Sequence, residues 1–366
     1  MTITTDPTTL DEAAMGAYAE GIFGAMLATT EVALIHLGRR LGLYEALRGH
    51  PSTAGELAAA TGLDGRYVQE WVEQQAVSGT LTVDDASAAA DARRYALPEE
   101  HAIVLLDEEH PAYSGAMTDF VTPMNLTFQK VIDAFRTGEG VAFADYHAHD
   151  MQAGFSRPAF ANDLVTTWIP ALPDIQARLE AGEPLRIADI GCGEGWASIY
   201  LAQAYPHVTV DGFDLDDTSI AEGRKHAAER GVADRVHLEV QDVTDTSFGR
   251  QYDLVFACEM VHDLADPVGA LAAMERISRP NGAVLVVDEN ASETFEAPGD
   301  PIQRLLYAVS LMHCLPAGRA GRPDSAATGT VMRPETFEGY ATAAGFRSVE
   351  RLAVEHPLFA FYRPGR

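Results

Sequence analysis

The sequence predicts an α/β fold in its C-terminal half, a largely parallel sheet flanked by helices, behind a mostly helical N-terminal region. Two observations carry that prediction. Residues 185–201, LRIADIGCGEGWASIYL, run from an apolar, β-branched stretch through a glycine-rich turn into a helical pattern. Behind them, short apolar runs alternate with helical segments, the pattern that builds parallel sheets.

Residues 2–9 are polar and read as a frayed tail, without the basic and apolar regions of a secretion signal. Residues 10–47 read as helix, unusually apolar, with Phe23, Met26, Leu27, Val32, Leu34, Ile35 and Leu37, and with Gly38 and Gly42 as candidate breaks. A helix apolar on most sides is not a free surface helix, and a dimer interface is the simplest way to bury it. No stretch reads as the ~18 consecutive apolar residues of a membrane span.

Pro51, Ser52 and Thr53 precede a short helix over 54–60, and Asp64 caps a second helix ending at Val77. Leu81 and Val83 suggest a strand, 84–92 an Ala/Asp-rich loop, and 94–97 a returning strand, which together make a winged helix-turn-helix. The second helix carries Asp64, Arg66, Glu70 and Glu73, not the basic stripe of a DNA reader. The chain has 54 acidic against 26 basic residues, a net charge of −28, which opposes non-specific binding to nucleic acid or an anionic membrane. Cys192, Cys258 and Cys314 are scattered, without metal spacing or a disulfide framework, as in a reducing cytosol.

Residues 111–179 read as mostly helical, interrupted near Pro123, 138–145 and Pro158, with aromatics that include Phe143, Tyr146, Phe160 and Trp168. Most are expected in the core, and some are expected to face a substrate. Gly182-Glu183-Pro184 is the expected boundary, dividing the chain into 1–110, 111–182 and 183–366. Strands are expected at 185–190, 207–213, 236–240, 254–257 and 283–287, with a turn at Asn281-Gly282 before the last. A polar loop over 289–299, a helix over 302–313, a Gly/Pro/Ala-rich loop over 315–332, a helix over 334–344 and an antiparallel pair at 349–354 and 358–362 follow.

The glycine turn reads as a ligand site. Glycines between strand and helix permit a sharp bend and close approach, and the helix N-terminus adds free N–H groups. The spacing is G-x-G-x-G, not the G-x-G-x-x-G of dinucleotide sites, and Asp189 before it suits an ammonium better than a pyrophosphate. Asp214 ends the second strand about 20 residues on, where an acid accepts from ribose hydroxyls. Asp189 with Gly191, Gly193 and Gly195, then Asp214, then Gln241-Asp242, then CEMVHD at 258–263 resemble in order the motifs of class I S-adenosylmethionine (SAM) methyltransferases. RYVQEW at 66–71, YALPEEHA at 95–102 and LMHCLP at 311–316 resemble a branch of actinobacterial small-molecule methyltransferases with a winged N-terminal domain. That resemblance implies a Rossmann-like, seven-stranded SAM domain behind a winged-helix dimerisation domain. It implies a cytoplasmic homodimer of specialised metabolism that methylates oxygen, nitrogen or carbon of a small molecule. It gives Asp189, Gly191, Gly193 and Gly195 to the methionine end of SAM, Asp214 to the ribose, Asp242 to the adenine side, and Leu215 and Val243 to the face of the base.

SAM is an activated donor, so the protein mainly positions the acceptor and removes its proton where needed. The catalytic candidates follow the fourth strand. His262 has an unperturbed pKa of ~6.5 and suits a proton acceptor. Asp263 or Glu259 would orient it or hold a cationic acceptor. The plainer alternative makes His262 a helix cap and Asp263 part of the first turn. His313 is placed to reach the same cavity or to stabilise a helix C-terminus. Tyr18 and Glu20 are candidates to cross a dimer into the partner's site. His262, Asp263 and His313 also make the ingredient list of a two-His, one-carboxylate metal site. Their arrangement resembles α-keto acid C-methyltransferases of the branch, which implies a metal holding the keto acid. Two other classes compete: a winged-helix DNA-binding regulator with a SAM-fold ligand domain, and an NAD-dependent oxidoreductase.

Overall fold

The computed structural model describes residues 10–147, 149–245, 249 and 252–366, so the tail expected at 2–9 lies outside the described residues. The chain forms two compact units, Met1–Asp107 with Ala112–Val121, and Glu108–Pro111 with Thr122–Arg366.

The first unit opens with α1 (Glu12–Arg40), whose N-terminus is capped by Asp11, the carboxylate accepting from the Ala14 amide at 2.9 Å. Gly38 does not break this helix; it is buried where a β-carbon would run into the Trp71 ring. The break comes at Gly42, in the left-handed region with φ 68°. Then α2 (Leu43–Leu47), α3 (Ala54–Thr61) and α4 (Gly65–Val77) enclose Leu43, Tyr44, Leu57, Trp71 and Val72. Thr53 and Glu56 cap α3 reciprocally, and Asp64 accepts from the Arg66 and Tyr67 amides at the start of α4. The wing is β1 (Thr82–Val83) paired antiparallel with β2 (Tyr95–Ala96). Helices α5 (Glu99–Leu106) and α6 (Gly115–Asp119) complete the unit. Arg66 pairs with Glu70, Arg93 with Glu73 and Arg94 with Glu56, so these cations on and beside α4 are engaged by acids.

Residues 11–30 of α1 and its cap are exposed, Tyr18, Ile22, Phe23 and Met26 among them. With a window of mean hydropathy 1.4, α1 is long and apolar enough to cross a membrane by length and composition, which corrects the expectation that no stretch is. Glu20, Thr29, Thr30 and Glu31 interrupt its apolar residues without making the helix polar as a whole.

The second unit begins with α7 (Val121–Thr137), α8 (His149–Ala159) and a π-helical stretch, Phe160–Trp168. Pro158 removes a backbone donor inside α8, and the wider winding follows it. After α9 (Pro173–Glu180) the sheet starts: β3 (Arg186–Ile190), α10 (Trp196–Ala204), β4 (Thr209–Asp214), α11 (Asp217–Glu229), β5 (Val236–Val240), β6 (Tyr252–Cys258), α12 (Pro267–Ile277) and β7 (Ser278–Glu289). Then come α13 (Pro301–Val309), a π turn at Ser310–Cys314, α14 (Leu315–Arg319), α15 (Pro334–Ala343), β8 (Ser348–Arg351) and β9 (Phe359–Gly365). The seven strands are ordered β5-β4-β3-β6-β7-β9-β8. The first five in this order are parallel, and β9 runs antiparallel to β7 and β8. Alternate residues feed two cores, Ile187, Phe256 and Leu285 on one face with Trp168, and Ala188, Val255 and Val284 on the other with Phe337.

Three local differences from the expected elements have physical reasons. β6 starts at Tyr252 because the buried Asp253 carboxylate is bound by Arg178 at 2.6 Å, Arg279 at 2.6 Å and the Arg186 amide at 3.0 Å. β7 starts at Ser278, and the Asn281-Gly282 turn falls in a shift of its register with β6. The stretch expected as loop after His313 opens on α14, with Pro316 in its first turn, where a missing N–H costs nothing.

Candidate active site

The strand order places the carboxyl ends of β4, β3, β6 and β7 side by side, the edge where open α/β sheets bind ligands. The β3–α10 turn is built on Gly191, Gly193 and Gly195 at φ 68°, 51° and 73°, a region glycine enters without strain. A β-carbon on Gly193 would meet nothing within 4 Å, so its backbone is open to a ligand, whereas one on Gly195 would press on Leu238 at 2.7 Å. The Gly193 amide donates to one oxygen of Asp214 at 2.8 Å and the Asp216 amide to the other at 2.9 Å. Asp189 is buried and accepts from the Ser198 hydroxyl at 2.6 Å; burial lifts its pKa to about 6 against that hydrogen bond. Asp242 is exposed and closes a turn by accepting from the Thr244 amide and hydroxyl at 2.8 and 2.7 Å. Leu215 is exposed beside Asp214, and Val243 packs against the sheet core. The result is an open backbone cradle with one acid behind it and another at its side. It fits a ligand with an ammonium end and ribose hydroxyls.

One strand further, His262 is held in a short 3-10 turn, Val261–Asp263, and is 4% exposed. Its Nδ1 lies 2.7 Å from the fully buried Asp288 at the end of β7, and its Nε2 lies 3.3 Å from Asp263. Burial draws the His262 pKa down, but Asp288 and Asp263 outweigh it, and the ring titrates well above the usual imidazole value. His262 is not a helix cap: α12 begins at Pro267 and is capped by Asp266. Glu259, at a left-handed φ of 52°, donates its amide to the Val287 carbonyl at 2.9 Å. Burial, with Glu289 next in effect, pushes the Glu259 carboxyl up, and burial lifts Glu289 to about 8. His313 is buried in the π turn, its ring edge-on to Tyr146 at 4.5 Å and to Phe143 at 6.0 Å. Burial lowers its pKa. His262, Asp263 and Cys314 offer ligand atoms within 4.8 Å of one another; His313 reaches that group through Cys314, whose sulfur is 3.5 Å from its Nδ1.

Comparison with known proteins agrees with both halves of the chain. A methyltransferase-domain family matches residues 187–282, and the Rv2258c-like winged helix-turn-helix family matches residues 29–106. The ubiquinone biosynthesis O-methyltransferase of Aromatoleum aromaticum is 30% identical over 182 residues, covering 49% of this chain and 72% of that protein. The chain belongs to the SAM-dependent methyltransferases. The structure of mitomycin 7-O-methyltransferase superposes with a TM-score of 0.68 at 20% identity over 97% of this chain and 100% of that one. Human N-acetylserotonin methyltransferase in complex with SAM superposes at 0.67, with 16% identity over 99% of each chain. The fold of these neighbours is the class I SAM fold, and SAM is the cofactor.

In this methyltransferase the glycine cradle and Asp214 meet at the β3–β4 edge, with Asp242 at the end of β5. His262 and Asp263 meet at the end of β6, with Glu259 in electrostatic reach. Sequence reasoning gave no site role to Asp288, Glu289 and Cys314, and named Tyr146 only among aromatics of which some were expected to face a substrate. A signal existed for two of them: the apolar run AVLVV at 283–287 ends directly in Asp288-Glu289, as β3 ends near Asp189. Tyr146 and Cys314 are brought in by a loop and a π turn, which their places in the sequence do not show.

Proposed function

We propose that this methyltransferase acts on a small-molecule acceptor held at the β6–β7 edge, with His262 and Asp288 as its proton-handling pair. The observation that carries the reading is the buried His262–Asp288 contact of 2.7 Å one strand from the glycine cradle. Asp189, Gly191, Gly193 and Gly195 would hold the methionine end of SAM, Asp214 the ribose, and Asp242, Leu215 and Val243 the adenine side. SAM supplies a methyl group already activated on a sulfonium. Asp288 fixes the tautomer and plane of His262, leaving Nε2 to take a proton from the acceptor. Asp263 and Glu259 orient the acceptor, and His313 walls the cavity on the Tyr146 side. The relatives' names, a ubiquinone biosynthesis O-methyltransferase and a mitomycin 7-O-methyltransferase, favour a small-molecule acceptor over a macromolecule, and the mitomycin enzyme alone points toward specialised metabolism. The test is S-adenosylhomocysteine release with a panel of phenols, amines and indoles. His262→Ala is expected to keep S-adenosylhomocysteine affinity and to lose ~10²–10⁴ in turnover. Full turnover in that variant would refute the assignment.

A second reading has its own observation. His262, Asp263 and Cys314 cluster as a donor set for a metal, and Asp288 stands behind His262 as an outer carboxylate would. A metal there would serve as Lewis acid for an α-keto acid, with Cys314 beside or in place of His313. Stoichiometric metal lost in Asp263→Ala would establish it.

We read the exposed apolar face of α1 as the core of a homodimer interface, with Tyr18 and Glu20 directed toward the partner's site, and the winged helix as an assembly element. The acid-paired cations around α4 support that over DNA binding. The segment 111–182 supplies the substrate-facing aromatics ahead of the SAM domain. The scattered free cysteines suit a reducing cytoplasm.

A further inference from the structure

Glu259 stands at a left-handed φ of 52°, between the end of β6 and the turn that carries His262. A residue with a side chain is strained there, and such residues collect where a fold must aim a group. The group aimed by this kink is Met260. Its side chain runs along Gly191 at the end of the neighbouring strand. A β-carbon on Gly191 would lie 3.0 Å from Met260 Cβ, 3.0 Å from its Cγ and 3.4 Å from its Cε. The sulfur is bonded between Cγ and Cε, so the thioether lies against the cradle. The glycines of the cradle therefore differ: Gly195 is backed by Leu238, Gly191 is flanked by Met260, and Gly193 is open. Met260 is partly buried and packs, like Val243, against the core on that face of the sheet. Its carbonyl accepts from the Asp263 amide at 3.2 Å. Met260 thus touches the cofactor cradle with its side chain and the acceptor turn with its backbone.

We propose that the Met260 thioether is the surface on which the sulfonium of SAM rests, at the junction of cradle and acceptor edge, and that it positions the methyl group for transfer. This rests on the assignment of Asp189 and the glycine turn to the methionine end of SAM. The sulfonium joins that end to the ribose assigned to Asp214, and Met260 reaches Gly191 from the turn of His262. A thioether suits the place, being polarisable and uncharged. It packs on the cationic sulfur without holding it by charge. A carboxylate there would stabilise the positive charge that methyl transfer removes, and so would favour the ground state. An ammonium would repel the donor.

SAM and S-adenosylhomocysteine differ at the sulfur by one methyl and one positive charge, so the ratio of their affinities reads the surroundings of that atom. Calorimetry on the full chain without acceptor measures both. Met260→Lys is expected to weaken SAM about tenfold more than S-adenosylhomocysteine, and Met260→Glu to move the ratio the opposite way. Met260→Leu, of similar volume, should keep the ratio. A packing role alone would move both ligands together and both charged variants in one direction. A ratio unchanged in the charged variants, or shifted the same way in both, overturns the proposal. If the charged variants bind neither ligand, the wild type decides. In protein with ¹³C-labelled methionine methyls, the resonance lost in Met260→Leu should move further with SAM than with S-adenosylhomocysteine, and equal shifts overturn the proposal. Asp189→Asn tests the reading beneath it: undiminished S-adenosylhomocysteine affinity refutes the cradle assignment and the proposal with it. Weakened affinity in that variant, beside an unmoved ratio in the Met260 variants, refutes the proposal alone.

Discussion

Asp189 and His262 illustrate opposite consequences of burial. Asp189 sits behind the cradle with its pKa lifted from 3.8 to about 6 by desolvation. The folded state therefore binds a proton more tightly than the unfolded chain does, and stability falls as pH rises across that interval before levelling above it. Asp189→Asn keeps an acceptor for Ser198 and removes the charge. The variant is expected to gain on the wild type between pH 4 and 6, by roughly 2–3 kcal/mol at most. Urea melts of both proteins at several pH values read that difference, and a constant gap would count against it. The same variant should bind S-adenosylhomocysteine more weakly, since the amide cannot pair with an ammonium. His262 is shifted the other way from what burial alone would do, because Asp288 and Asp263 hold its proton. A base must be neutral, so kcat/KM should rise with pH through a pKa above the usual imidazole range. Asp288→Asn removes the leading carboxylate and leaves desolvation opposed by Asp263, so the rising limb should move to lower pH as the rate falls. A limb that stays in place would dissociate Asp288 from the titration.

At the scale of elements, what was legible in the sequence is what periodicity and turn chemistry encode. The apolar runs located all seven strands of the main sheet, and Asp64 and Thr53 marked real caps. What was not legible depends on tertiary partners. The sequence cannot say that Arg178 and Arg279 would extend β6 by satisfying Asp253, nor that Ser310–Cys314 winds as a π turn. That turn sets which way His313 and Cys314 face, so the donor group near His262 contains Cys314 where sequence spacing suggested His313. Gly38 is the same lesson in α1. Propensity alone makes Gly38→Ala worth about 1 kcal/mol of stabilisation in a helix. The β-carbon would instead meet the Trp71 and Tyr44 rings, and overpacking costs about 1–3 kcal/mol. The net expectation is a loss of about 1 kcal/mol, seen as a lower midpoint in thermal unfolding. A stabilised variant would show that the rings move aside.

For the whole molecule, the proposed assembly rests on α1. Its exposed residues include Tyr18 at 74% and Phe23 at 62%, and its buried residue is Gly38. Apolar area of that extent is costly in water, at roughly 25 cal/mol per Å². A second copy and a lipid bilayer would both cover it, and they differ in what a single charge does. In a bilayer span, Phe23→Asp would abolish insertion, and the wild type would need detergent to stay dispersed. In a homodimer, the wild type is dispersed without detergent at twice the chain mass, and Phe23→Asp shifts it toward the monomer because the same residue is struck on both copies. Sedimentation of the two proteins over a range of concentrations separates these outcomes. The dimer reading further expects Phe23→Asp to lower turnover more than S-adenosylhomocysteine affinity, since Tyr18 and Glu20 would leave the partner's acceptor edge while the glycine cradle stays intact. Equal turnover by monomer and dimer would mean that each chain's acceptor edge is complete without its partner.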